Sequence, residues 1–161
     1  MCSSDLLGGF GLLSDYGANE EGFQKGTVRR EIAMRAYQVQ LSYILTGEKK
    51  SFGSPTPRRP FDPLHRHSGG GGWGAVELAV RLGDWEAEKG LYNYGLASDA
   101  TTPRHLHEYV GGVNWYLNRL VRISGDIGNT SFGGGGTAAQ NGNRPVEKVF
   151  TLRFQINFGV I

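Results

Sequence analysis

One cysteine stands in the 161 residues, Cys2. No internal disulfide can therefore staple the fold, and a lone thiol lacks the clustered spacing of a zinc site. No run approaches the ~18–20 continuous apolar residues that a membrane-spanning helix needs. No charge sign dominates: 17 Lys and Arg against 15 Asp and Glu leave a net charge of +2, without the basic footprint of a nucleic-acid binder. The opening Met1-Cys2-Ser3-Ser4-Asp5 has neither the basic start nor the apolar stretch of a secretory signal. The glycine runs at 69–72 and 133–136 lack the Lys-Ser/Thr ending of a phosphate loop. No nucleophile, base and acid fall into a catalytic pattern, so neither an enzyme nor a cofactor is expected.

What the sequence has in quantity is glycine, 26 residues of it. Glycine weakens helix interiors by roughly 0.5–1 kcal/mol each, so this composition favours strands and turns. Five segments show period-two alternation and a sixth shows it weakly. The weak one is 9–16, with Phe10, Leu12 and Tyr16 on one face. In 31–46, Tyr37, Val39, Leu41, Tyr43 and Leu45 oppose Gln38, Gln40, Ser42 and Thr46. In 74–83, Val76, Leu78, Val80 and Leu82 oppose Ala75, Glu77, Ala79 and Arg81. Segment 105–117 sets Tyr109, Val113 and Trp115 against Glu108, Asn114 and Tyr116; segment 120–127 sets Val121, Ile123 and Ile127 against Arg122, Ser124 and Asp126. The cleanest is 148–158, where Phe150, Leu152, Phe154, Ile156 and Phe158 oppose Thr151, Arg153, Gln155 and Asn157.

Alternation with low overall hydrophobicity is how a transmembrane barrel reads, because only every second residue meets lipid. Asn118-Arg119 makes a tight turn, whereas 128–144 is a long Gly- and Asn-rich loop expected to be mobile. With a periplasmic C-terminus, up-and-down counting puts the 118–119 turn inside and the 17–30, 85–104 and 128–144 links outside. The link 47–73 holds four of the six prolines and falls on the inner rim by parity, although it is long. Either the inner rim carries a long segment there or the link hides a strand.

The terminal row of Phe150, Leu152, Phe154, Ile156 and Phe158 reads as a lipid-facing stripe with aromatics suited to the interface. It resembles the signal that barrel-assembly machinery recognises, except that residues 159–161 follow the last aromatic. Arg81, Arg122 and Arg153 sit on polar strand faces, where a guanidinium fork fits phosphate or carboxylate oxygens. Their plainer role is pairing with Glu77, Glu108 and Asp126. Lys49, Lys50, Arg58, Arg59 and Arg66 form a basic cluster whose plain reading is an exposed, solvated loop. His65-Arg66-His67 and His105-Leu106-His107 have spacing that puts both rings of a strand pair on one face, but neither has an evident third ligand, so no metal is expected.

Several stretches resemble the phosphate-selective porin O and P family of Gram-negative outer membranes. They are Gln40-Leu41-Ser42-Tyr43-Ile44-Leu45-Thr46-Gly47-Glu48, Pro57-Arg58-Arg59-Pro60-Phe61-Asp62-Pro63 and Gly72-Trp73-Gly74-Ala75-Val76-Glu77-Leu78-Ala79-Val80-Arg81. Val113-Asn114-Trp115-Tyr116-Leu117-Asn118-Arg119-Leu120-Val121-Arg122 and Thr151-Leu152-Arg153-Phe154-Gln155-Ile156-Asn157-Phe158 continue the series in matching order. The resemblance implies an antiparallel up-and-down barrel of about 16 strands, a size that leaves an aqueous channel. It further implies homotrimers, contact with outer-membrane lipid and lipopolysaccharide, and passive diffusion of small anions, with phosphate or polyphosphate preference in some members. On this reading residues 9–161 supply about six C-terminal strands of the barrel, and 1–8 are unstructured or artefactual. Arg81, Arg122, Arg153, Glu77 and Glu108 are then the candidates for pore lining and anion contact. The alternative is a soluble or surface-exposed β-sandwich or small barrel acting as a binding module, with one strand face packed internally.

Overall fold

The computed structural model describes residues 2–65, 71–98 and 100–158. Seven strands form one antiparallel sheet in sequence order. They are β1 (Cys2–Leu7), β2 (Phe10–Lys25), β3 (Val28–Ile44), β4 (Ala75–Ala87), β5 (Pro103–Tyr116), β6 (Val121–Gly134) and β7 (Glu147–Ile156). The only α-helix among the described residues is α1, Gly90–Asn93. No helix among them is long and apolar enough to cross a membrane, which says nothing about crossing by strands.

The register sorts side chains by face as the alternation predicts. Phe10 lies opposite Tyr43, Tyr43 opposite Leu78, Leu78 opposite Val113, and the row continues through Gly125 to Leu152. The next row is Leu12, Leu41, Val80, Gly111, Ile127 and Phe150. These rows lie on one face, and no second layer covers it among the described residues: Leu41, Val80, Ile127 and Leu152 are all exposed. Residues of the other parity make the opposite face, which is polar and glycine-rich.

The apolar band is oblique to the ladders. On β2 it begins at Phe10, which is level with Leu152, but on β7 it continues four residues further, to Ile156. A displacement of that size over five ladders corresponds to a strand tilt of roughly 30°, given ~3.4 Å per residue and ~4.8 Å between strands, close to the tilt of closed barrels.

Several sequence expectations are corrected. The strands among the described residues number seven, not about six, because Cys2–Leu7 pairs with Phe10–Asp15 instead of lying unstructured. Its pattern is too short and mixed to announce itself, and backbone ladder bonds hold it. The supposed loop 17–30 is the far half of the β2–β3 hairpin, closed tightly at Gly26, whose φ of 61° suits glycine. The alternation fades there because exposed polar residues dominate both faces of the hairpin, with Phe23 and Ile32 packed beneath the connection that carries α1. Likewise β6 runs on to Gly134, and 138–140 form a 3-10 turn in which Thr137 and Gln140 cap one another. Strand pairing through main-chain bonds needs no apolar side chain, so Gly- and Asn-rich sequence concealed it.

The 47–73 link hides no strand among its described residues. It is an irregular segment tied back to the rim by Lys50 N–H to Gly8 O (2.7 Å), Phe61 N–H to Leu117 O (2.7 Å) and Gly74 N–H to Arg59 O (3.0 Å). It shares that rim with the 8–9 and 117–120 turns. At the opposite rim the connection carrying α1 folds over the polar side of the sheet, where Leu91 buries against Ile32 and Ala87, with Phe23, Met34 and Trp85 around them.

Gly74 closes the link onto β4 with a φ of 77°, and a Cβ there would stand 2.2 Å from Tyr116 O. Gly74→Ala is expected to destabilise the folded protein by more than ~1 kcal/mol, since the left-handed backbone alone costs about that much. Gly111→Ala, on the open apolar face with nothing within 4 Å of its added Cβ, should change stability by less than ~0.5 kcal/mol. Urea unfolding of the two variants from lipid vesicles checks the pair.

Candidate polar face and rim network

The polar face is where the chemistry gathers. Register alone brings all five sequence candidates onto it. Glu77 lies opposite Asn114, Asn114 opposite Ser124, and Ser124 opposite Arg153; one step along, Tyr116 lies opposite Arg122 and Arg122 opposite Gln155. Arg81 sits two rows toward the other rim, opposite Val110. Between them the face is floored by small residues, Ala79, Gly112 and Asp126 in one row. A Cβ at Gly112 would meet Asp126 Oδ1 at 2.1 Å, so the glycine lets that carboxylate lie flat along the wall.

Two concavities divide the candidates. Arg81, Arg153, Glu108 and Asp126 line one; Arg122, Glu77, Asn114 and Tyr116 line the other, nearer the link. Arg81 donates to Glu108 Oε2 at 3.1 Å. Arg122 donates to Gln155 Oε1 and stacks its guanidinium 5.7 Å from the Tyr116 ring centroid. The Nε atoms of Arg81 and Arg122 are buried without a hydrogen-bond partner among the described residues. Arg153 is exposed on the same face.

Glu77 differs from the other candidates in being only 2% exposed. Tyr116 Oη donates to its Oε2 at 2.9 Å, Asn114 Nδ2 approaches the same oxygen at 3.4 Å, and Lys50 pairs with Oε1. Ser124 Oγ in turn donates to Asn114 Oδ1 at 2.7 Å. Lys49, Arg58 and Arg59 of the basic cluster are exposed as the solvated-loop reading expects, but Lys50 departs from it, its side chain being largely buried against the sheet. No local pattern marks it: a lysine in an irregular segment finds its partner 27 residues away through tertiary folding.

The terminal strand places Phe150, Leu152, Phe154 and Ile156 together on the exposed apolar face; Phe158 lies beyond the end of β7 and is exposed. His105 and His107 share that face with ring centroids 5.3 Å apart, and His107 pairs with Asp84 across the ladder. No group of three or more metal-ligating side chains is assembled among the described residues. Of the other histidine pair, His65 bonds Asp62 at 2.8 Å, whereas Arg66 and His67 lie outside the described residues.

Within the link, Glu48 accepts from the Thr46 hydroxyl and from the Arg58 amide, the latter at 3.0 Å. Burial pushes the Glu48 carboxyl pKa up, but these two hydrogen bonds and the Arg58 charge outweigh it and hold the value below the ordinary 4.5.

Comparison with known proteins gives one family. The phosphate-selective porin O and P family model matches residues 10–158. None of the curated proteins matches the chain.

Because the folded pKa of Glu48 is depressed, its contribution to anchoring the link is fully present above the unfolded value and is lost as pH falls through the folded one. The Arg58 amide, corrected for intrinsic rate, should be protected from hydrogen exchange above about pH 5 and open progressively below it. Glu48→Gln should abolish the pH step. A pH step that Glu48→Gln leaves unchanged would contradict the assignment.

Proposed function

The chain belongs to the phosphate-selective porin O and P family, and we propose that its two-faced sheet is wall of an outer-membrane channel whose polar face lines an anion-conducting lumen. Family membership makes this a channel-forming protein of the bacterial outer membrane, of a class that is not enzymatic. The finer reading is that Arg81, Arg122 and Arg153 contact small anions, phosphate or polyphosphate among them.

The observation that carries the reading is the uncovered apolar face. Soluble monomers rarely expose contiguous apolar patches beyond a few hundred Å². Here the exposed row of Leu12, Leu41, Val80, Ile127 and Phe150 crosses six strands, with the parallel row of Phe10, Tyr43, Leu78 and Leu152 beside it. A soluble sandwich would bury that face against a second sheet. Lipid covers it instead, and the aromatic residues Tyr16 and Tyr37 at one end and Trp73 and Trp115 at the other suit the two interfaces.

The reading has a closure requirement. β1 and β7 are the outer strands of the sheet, and hydrocarbon does not tolerate unpaired strand edges. Further strands therefore complete the barrel, and the family resemblance implies about 16 in all, a size that leaves an aqueous channel. Homotrimers, contact with lipopolysaccharide and a Gram-negative host belong to the same proposal.

Reconstituted in planar bilayers, the protein should give a reversal potential of anion-preferring sign under a salt gradient. Replacing Arg81, Arg122 and Arg153 with Gln should each lower the anion-to-cation permeability ratio. A cation-preferring unaltered channel would remove the anion reading. Separately, Val80→Arg on the apolar face should cost ~2–4 kcal/mol of folding stability in vesicles, as expected near a bilayer midplane. Tolerance of this change would argue that the face meets water.

A further inference from the structure

The link 45–74 and the charge of the polar face are joined through one ion pair. Lys50 belongs to no strand. Its stem runs over Gly11, where an added Cβ would meet Lys50 Cγ and Cε at 3.1 Å, so the missing side chain at Gly11 provides its groove. Its ammonium ends on Glu77, a carboxylate that β4 and β5 already hold through Tyr116 and Asn114. A buried carboxylate deprived of its cation is costly, so this position needs a positive charge, and the folded-back link delivers it. Immediately after Lys50, residues 51–54 lie along the same concavity as Arg122 and Asn114, with Phe52 82% exposed.

We propose that Lys50 is a positioning residue that sets both the bore and the charge of the pore at this rim. Its pair with Glu77 pins residues 50–54 against the lumen face, and it cancels a carboxylate that would otherwise repel anions. The proposal rests on reading the polar face as lumen. It adds that the rim segment is held in place by an electrostatic latch, and that opening the latch exposes negative charge in the wall.

The pair makes two signatures that a merely structural role does not share. In planar-bilayer recordings of the protein, Lys50→Met and Glu77→Gln should both raise single-channel conductance, by about twofold, as the segment detaches. Their effects on selectivity should be opposite. Lys50→Met leaves Glu77 bare and lowers the anion-to-cation permeability ratio about twofold, whereas Glu77→Gln leaves Lys50 free and keeps or raises it. The charge swap Lys50→Glu with Glu77→Lys should return conductance to near the unaltered value. Heat-modifiable electrophoretic mobility reports folding of each variant; if a single variant fails to fold, the swap decides.

Unaltered conductance in both single variants overturns the latch, as does a selectivity change of the same sign in both, or a swap that restores neither folding nor conductance. An unaltered channel without anion preference would instead count against the lumen reading. The conductance comparison would still report on the latch.

Discussion

A peptide group that leaves water for hydrocarbon without a partner costs several kcal/mol, and nearly everything in this sheet follows from avoiding that cost. Each strand pairs with its neighbour in sequence, so main-chain donors and acceptors are consumed by ladders closed through hairpins. Once the backbone is satisfied in this way, the two faces are free to diverge. Period two then sends one set of side chains to an apolar surface and the other to a polar one. The mild overall hydrophobicity of the sequence is a consequence of this division.

Where the chain leaves the ladder, the same requirement is met by other means. Asn118 Oδ1 accepts from the amides of Leu120 and Val121 at 2.8 and 2.9 Å, closing the β5–β6 turn with a side chain. The link needs more: its amides reach Gly8, Leu117 and Arg59, and its Glu48 takes the Arg58 amide. At the far rim Tyr92 Oη bonds Pro103 O at 2.6 Å and Glu88 receives the Ala33 amide at 3.1 Å, fixing the α1 connection above the polar face. Both long connections are therefore parts of the wall architecture, bound to the sheet through main-chain and side-chain hydrogen bonds.

Faces were legible in the sequence and strand ends were not. Alternation placed Leu78, Val80, Tyr109, Val113, Ile123 and Phe150–Ile156 on the correct side, and with them Glu77, Arg81, Glu108, Arg122 and Arg153 on the other, because period two within each strand already separates its apolar set from its polar set. The strand ends lay where that signal vanishes, as in Ala18–Lys25, where polar residues and glycine outnumber apolar ones while the backbone pairs fully with β3. Cys2–Leu7 was missed for a related reason, its six residues holding too few periods to separate from loop. The Lys50–Glu77 contact was out of reach altogether, since it depends on how an irregular segment returns to the sheet and on the absence of a side chain at Gly11.

The formal charges of the polar face nearly balance, so selectivity on the lumen reading cannot come from their sum. It comes from unequal exposure. Glu77 is buried beneath Lys50, Glu108 is engaged by Arg81, and Asp126 lies flat against Gly112. Arg153 stands exposed, and Arg122 is held by the neutral Gln155 and the Tyr116 ring, which leave its charge uncancelled. A solute in a narrow aqueous passage responds to the charge it can approach, focused by the low-dielectric wall behind it. On that reading the exposed Arg153, with Glu77 buried beneath Lys50, biases the wall toward positive charge although the chain as a whole is almost neutral. Gly112 contributes to the same effect, because the space it leaves lets the Asp126 carboxylate fold down.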